Sequence, residues 1–232
     1  MRTLPWLPWV VALLLGGCEN PRPGAVASEP SRAVPIAPRL PADSSSRVRH
    51  PLPPALPLDT EMAETWTRLR SALRRHDAAL LNQLIDPALG LWVVEEGDAG
   101  VVITRVAPGA AFRPAYARVP SQSINRQIQL CSALLAVTQL PEIDCGDRVN
   151  GRSGFENDGC FSGPAADFHT MDLWARAQLK GGTAAEGRAA QRRVARTVLH
   201  TRSGFRFHFA KAPGTGGHWY LVFVDLRSPC IS

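Results

Sequence analysis

The sequence predicts an α+β domain over residues 59–232, with N-terminal helices packed on an antiparallel sheet that ends in a three-stranded meander. Three observations lead there. After Asp59-Thr60, the residues Met62, Trp66, Leu69 and Leu73 recur at i, i+4, i+7 and i+11, the apolar stripe of an amphipathic helix. Leu91–Val94 and Val101–Val106 are strand-like runs around Glu95–Gly100, an acidic, glycine-bearing segment that reads as a hairpin turn. Val194–Thr201, Phe205–Ala210 and His218–Leu226 are rich in β-branched and aromatic residues and are separated by turn-forming stretches at Arg202–Gly204 and Lys211–Gly217.

The domain is preceded by two segments of different character. Met1–Cys18 offers one cation, Arg2, then an apolar run from Leu7 to Leu15, then Gly16-Gly17 before Cys18. The run is far shorter than the ~20 residues a helix needs to cross a bilayer. Residues 1–17 therefore read as a secretory signal that is removed. Leu15-Gly16-Gly17-Cys18 resembles the lipobox of bacterial lipoproteins. The resemblance implies a diacylglyceryl group on the Cys18 sulfur, cleavage before Cys18 and acylation of its new amino group by a fatty chain such as palmitate. Each buried methylene contributes ~0.8 kcal/mol, so two or more chains hold a protein on a membrane where one does not. In such lipoproteins an aspartate after the cysteine favours the inner membrane. Glu19 and Asn20 stand there instead, which implies an outer-membrane address in the bacterial cell envelope, at its periplasmic or surface face.

Residues 18–58 hold ten of the twenty prolines, Ser44-Ser45-Ser46 and few large apolar side chains, too little to form a core. Extended polyproline-like chain rises about 3.1 Å per residue, so this tether could carry the domain as much as ~100 Å from the lipid. Loss of the leader removes Arg2 and no acid, lowering the net charge from +6 to +5. Only Lys180 and Lys211 are lysines, and the other cations are arginines, which hold carboxylates and phosphates through a planar fork. In an exported chain this excess points to an envelope protein, the cell wall or anionic lipid as partner, and away from nucleic acid.

Asp59 caps the first helix, with Glu61 and Glu64 in its first turn and Arg74-Arg75 near its end, where they suit the helix dipole. Asp77 caps a second, short helix through Leu80, Leu81, Leu84 and Ile85, stopped by Asp86-Pro87 and Gly90. Glu95 and Glu96 resemble paired catalytic carboxylates only in sequence, because neighbours in a strand point to opposite faces. Ile124, Ile128, Cys131 and Leu135 have helical spacing, as do Phe168, Met171, Ala175 and Leu179 before Gly181-Gly182. Thr183–Arg193 is an alanine-rich basic connector with helical character.

Four cysteines remain after Cys18: Cys131, Cys145, Cys160 and Cys230, an even set that suggests two disulfides in an exported domain. Three pairings are open. The Gly- and Asn-rich segment between Cys145 and Cys160 favours that pair, leaving Cys131 with Cys230. The same segment lacks EF-hand spacing, and no HExxH or similar motif occurs, so the sequence assigns no metal, cofactor or catalytic residue.

If Thr201 faces Phe205 and Ala210 faces His218, then Leu199, Phe205, Phe207, Phe209, Trp219, Leu221 and Phe223 share the core face. The other face then presents His200, Arg206, His208 and Tyr220, the candidate binding residues, together with Arg196 and His218 among Val198, Val222 and Val224. The capped helix with Trp66, the short second helix and the strands GFRFHF and GHWYLVFVDL resemble the NTF2-like superfamily, with a cystatin-like layout of helices on a curved antiparallel sheet. That resemblance implies a cone-shaped pocket. Its members include noncatalytic binding and assembly domains as well as isomerases and hydrolases. The sequence thus favours a noncatalytic ligand- or partner-binding module. The alternatives are a small-molecule isomerase or hydrolase with its pocket near His208 and Tyr220, and a structural factor in envelope assembly.

Overall fold

The computed structural model describes residues 56–106, 131, 133–146, 154–212 and 217–230, all within one compact unit spanning Arg47–Ser232. The leader, Cys18 and the tether up to residue 55 lie outside the described residues, as do Ile124 and Ile128. Among the described residues, no helix is long and apolar enough to cross a membrane.

Helix α1 runs Thr60–Arg75, and the Asp59 carboxylate accepts from the Glu61 backbone N–H at its start. The same carboxylate accepts from the Trp219 indole at 3.2 Å and pairs with Lys211 at 3.3 Å, tying the helix entrance to the closing strands. Met62, Trp66 and Leu69 are fully buried, and Leu73 is half-buried beside a buried Ala72. Burying such a side chain contributes about 1.5–3 kcal/mol. Helix α2, Ala78–Gln83, is capped by Asp77.

Strands β1 (Leu91–Gly97) and β2 (Gly100–Val106) form the hairpin expected from the sequence, but both acids belong to β1 and only Asp98-Ala99 turns the chain. Then come β3 (Leu134–Ala136), β4 (Cys160–Pro164), helix α3 (Ala166–Thr170), β5 (Gln178–Lys180), helix α4 (Ala184–Arg193), β6 (Val194–His200), β7 (Phe205–Lys211) and β8 (Trp219–Asp225). The fold is α+β, as the sequence predicts. Leu135, placed on a helix by its spacing, lies in β3, and Leu179 lies in β5. Both are three-residue strands, too short for alternation to outweigh a coincidental helical repeat. The connector is helical over Ala184–Arg193, opened by the extended N-cap Thr183, which closes a capping box with Glu186.

The strands form one eight-stranded sheet in the order β3-β4-β6-β7-β8-β1-β2-β5. Its meander β6-β7-β8 is antiparallel, but β1 joins β8, β5 joins β2 and β3 joins β4 in parallel, so the sheet is mixed and not purely antiparallel. Both faces carry a core. Leu91 and Val93 of β1 enter one cluster with Met62, Trp66 and Leu69 of α1 and Phe205, Phe207 and Phe209 of β7. Trp92 and Val94 enter the other, with Phe168, Trp174, Ala190 and Phe223. Successive strand residues therefore feed opposite clusters.

The face assignment needs two corrections. Phe205 pairs with His200 and not with Thr201, a one-residue slip that turns Val198 into the α1-side core and Leu199 to the opposite face. In β8, Leu221 pairs with Phe209 while Phe223 pairs with His208, so Val222 is an extra residue in a bulge. Beyond it Phe223 joins the second core and Val224 takes its place in the first.

The cysteines also pair differently from expectation: Cys131 lies at disulfide distance from Cys160 and Cys145 from Cys230, with Cα separations of 5.7 and 5.4 Å. Pairing of Leu134 with Cys160 in the parallel β3-β4 ladder carries Cys131 to Cys160, a constraint that loop length alone could not reveal.

Candidate binding cleft

Strands β6 and β7 present Thr197, Leu199, Arg206 and His208 on the side away from α1, and the segment after β3 (Gln139–Ile143) rises opposite them. Pro164, Asp167, Phe168 and Met171, from the end of β4 through α3, close a third side. Together they enclose a cleft of about 450 Å³, within the range for small-molecule sites.

His208 is buried, with its ring stacked on Phe168 at 3.6 Å between centroids and 19° between planes. Its Nδ1 shares a hydrogen bond of 2.9 Å with the Thr197 hydroxyl, while Nε2 is buried with no hydrogen-bond partner. Burial disfavours the imidazolium and draws its pKa down to about 3, against a smaller opposing pull from Asp225. His208 is thus a neutral ring at neutral pH.

Arg206 stands two residues before His208, so alternation directs both to one face. It is paired across the ladder with Asp225. That carboxylate is occupied elsewhere: Arg227 Nε donates to Oδ1 at 2.9 Å and Nη2 to Oδ2 at 2.7 Å, a two-pronged ion pair. Burial pushes the Asp225 carboxyl up, but the Arg227 fork outweighs it and holds it below the ordinary value. Burial likewise opposes charge on Arg227, and Asp225 outweighs that, raising its pKa. Arg206 has no such fork. No hydrogen bond or ion pair of its guanidinium is formed among the described residues, and burial draws its pKa down, with Asp225 resisting.

The four candidate residues therefore separate. Arg206 and His208 line the cleft, while Tyr220 pairs with Ala210 farther along the strands and lines none of it. His200 falls on the opposite face through the same slip that moves Leu199. It lies beside Cys131 and Cys160, with ligand-type atoms of the three within 4.8 Å of one another. A thiophilic ion would accept that donor set only from free thiolates, and the two sulfurs are paired with each other. Nδ1 of His200 meets the Ser203 hydroxyl at 2.7 Å, and burial, with the Arg202 charge, draws its pKa to about 4.

Glu95 and Glu96 alternate as adjacent strand residues do. Glu95 is buried, and that burial raises its pKa against the charge of Lys180, whereas Glu96 acts electrostatically on Arg227. Thr197, Phe168 and the Asp225-Arg227 pair were missed at the level of sequence. The Asp-x-Arg spacing at the end of β8 was the available signal. No protein-family model, curated protein or solved structure matches this chain.

Proposed function

We propose that this chain is a lipid-anchored lipoprotein of the bacterial cell envelope, held through Cys18 and favouring the outer membrane, whose domain binds a ligand in the cleft between β6-β7 and the segment after β3. The order of cation, apolar run, small residues and cysteine supports the anchor, and the proline-rich tether supports presentation at a distance. The observation that carries the binding reading is Arg206: a half-buried guanidinium, its charge disfavoured by burial, with no hydrogen bond among the described residues, lining a cleft of about 450 Å³. Desolvated charge without a partner is costly, and a ligand acceptor relieves that cost.

A noncatalytic role fits the state of the neighbouring groups. His208 is a neutral imidazole at neutral pH, with no imidazolium proton to give as a general acid, and both Asp225 oxygens are engaged by Arg227. The NTF2-like assignment extends this reading, supported by the capped first helix and the aromatic meander. The parallel additions at both ends of the sheet are departures from its antiparallel pattern. The anchor is tested by labelling cells with a fatty-acid probe and separating detergent and aqueous phases. Label and detergent partitioning are expected for the parent chain and are lost in Cys18→Ser; an unlabelled, water-soluble parent would remove the anchor from this reading.

A further inference from the structure

We infer that the cleft selects a monocarboxylate with an apolar body, its carboxylate held by Arg206 and its body laid against Phe168, Met171 and Leu199. This rests on the binding reading above and specifies its ligand.

Arg206 offers a planar fork of N–H donors with no protein acceptor among the described residues, and a carboxylate matches that fork with two parallel hydrogen bonds. His208 supplies the second unanswered polar edge. When the Thr197 hydroxyl donates to Nδ1, the neutral ring carries its proton on Nε2, the nitrogen without a partner, and presents another donor. Two donors two residues apart on one strand face thus share a wall of the cleft. Asp225 does not compete for the fork, because Arg227 takes both of its oxygens.

The charges around the cleft limit the ligand to a single negative charge. Asp225 and Arg227 offset each other, leaving Arg206 as the cation on the wall, with Asp167 and Glu142 exposed at the rim. Either anion passes the same rim acids, but a dianionic phosphate brings two charges against one guanidinium, whereas the single charge of a carboxylate is matched by it. The stacked Phe168, with Met171 and Leu199, gives the rest of the ligand an apolar surface.

The test uses the full mature chain carrying Cys18→Ser, which removes lipid and the need for detergent. Calorimetric titrations compare phenylacetate, its neutral isostere phenylacetamide and inorganic phosphate. Phenylacetate is expected to bind saturably and about tenfold or more tighter than the amide, as hydrogen bonds to a charged group allow. Phosphate is expected not to compete. Arg206→Lys, which keeps charge but loses the fork, should weaken phenylacetate several-fold, and Arg206→Gln should erase its advantage over the amide, with circular dichroism confirming that both variants fold. Equal binding of acid and amide, lowered in both by Phe168→Ala, would overturn the carboxylate assignment and leave the cleft as a binding site. Displacement of phenylacetate by phosphate would overturn the single-charge argument. Binding of none of the three probes would overturn both readings.

Discussion

The indole of Trp174 donates to Oε1 of Gln191 at 2.7 Å, and the same buried amide donates through Nε2 to the backbone carbonyls of Phe168, at 2.5 Å, and Met171, at 2.9 Å. One side chain of α4 thereby fixes Trp174 and closes the end of α3, the element that carries Phe168 into the cleft. Trp174 in turn packs edge-on against Trp92 at 5.6 Å. The second core and the wall of the cleft are one assembly.

Gly187 lies against the same indole. A Cβ built there would fall within the Trp174 ring, which is buried and anchored by Gln191 and cannot swing aside. Gly187→Ala is expected to lower unfolding free energy by about 1–3 kcal/mol, against the usual helical preference for alanine. Urea denaturation measures it. A stabilised variant would show that α4 does not sit on Trp174.

The meander was legible because the period-two pattern of Phe205, Phe207 and Phe209 and the turn at Arg202–Gly204 are local signals. Its register was not. A slip of one residue at His200-Phe205 and one extra residue at Val222 exchange faces without changing composition, and they decide that Arg206 and His208 share a cleft while His200 does not. Phe168 carried a helical spacing that predicted its burial but not its stacking on a histidine forty residues later. The edge strands and cysteine partners depend on parallel pairings between distant segments, for which the sequence has no short-range signature.

The Cys145–Cys230 pair spans 85 residues and ties the described C-terminal end to the segment after β3. In the chain-entropy account such a link contributes about 4–5 kcal/mol by restricting the unfolded chain. Peptide mapping without reduction should recover Cys131 with Cys160 and Cys145 with Cys230. A Cys145→Ser/Cys230→Ser double variant should melt at a markedly lower temperature. Recovery of a Cys145–Cys160 peptide from native protein would contradict the pairing.

Asp225 is buried and answered by Arg227 alone among the hydrogen bonds to its carboxylate in the described residues. Asp225→Ala leaves Arg227 without its acceptor and is expected to cost about 3 kcal/mol or more. Asp225→Ala/Arg227→Met, which removes both charges, should recover part of that loss. A double variant no more stable than the single one would show that the pair does not act as a unit. Because Asp225 and Arg227 act on Arg206 with opposite sign, phenylacetate binding should change little in the double variant if the fold is kept.

The buried His208 makes stability depend on pH with a definite sign. Its pKa is 6.5 in the unfolded chain and about 3 in the folded one, because burial excludes the imidazolium; Asp225 opposes this, while Arg206, Arg227 and His169 add to it. Between those values the unfolded chain binds a proton that the folded chain refuses. The contribution is therefore complete above the unfolded value and is lost as pH falls toward the folded one, at up to about 1.4 kcal/mol per pH unit. His200, drawn to about 4 by its own burial, acts in the same direction, so the two slopes add over most of the window. Asp225, whose pKa is lowered from 3.8, holds its contribution above that ordinary value and surrenders it as pH falls below it. Denaturation measured at a series of pH values from neutral to mildly acidic should show the parent losing stability steadily, and His208→Phe losing it less steeply by about one proton's worth. The slope and not the absolute stability is the readout, since the variant also orphans the Thr197 hydroxyl. An unchanged slope would mean that His208 takes up a proton as readily in the folded chain as in the unfolded one, contradicting its burial as a ring that refuses charge.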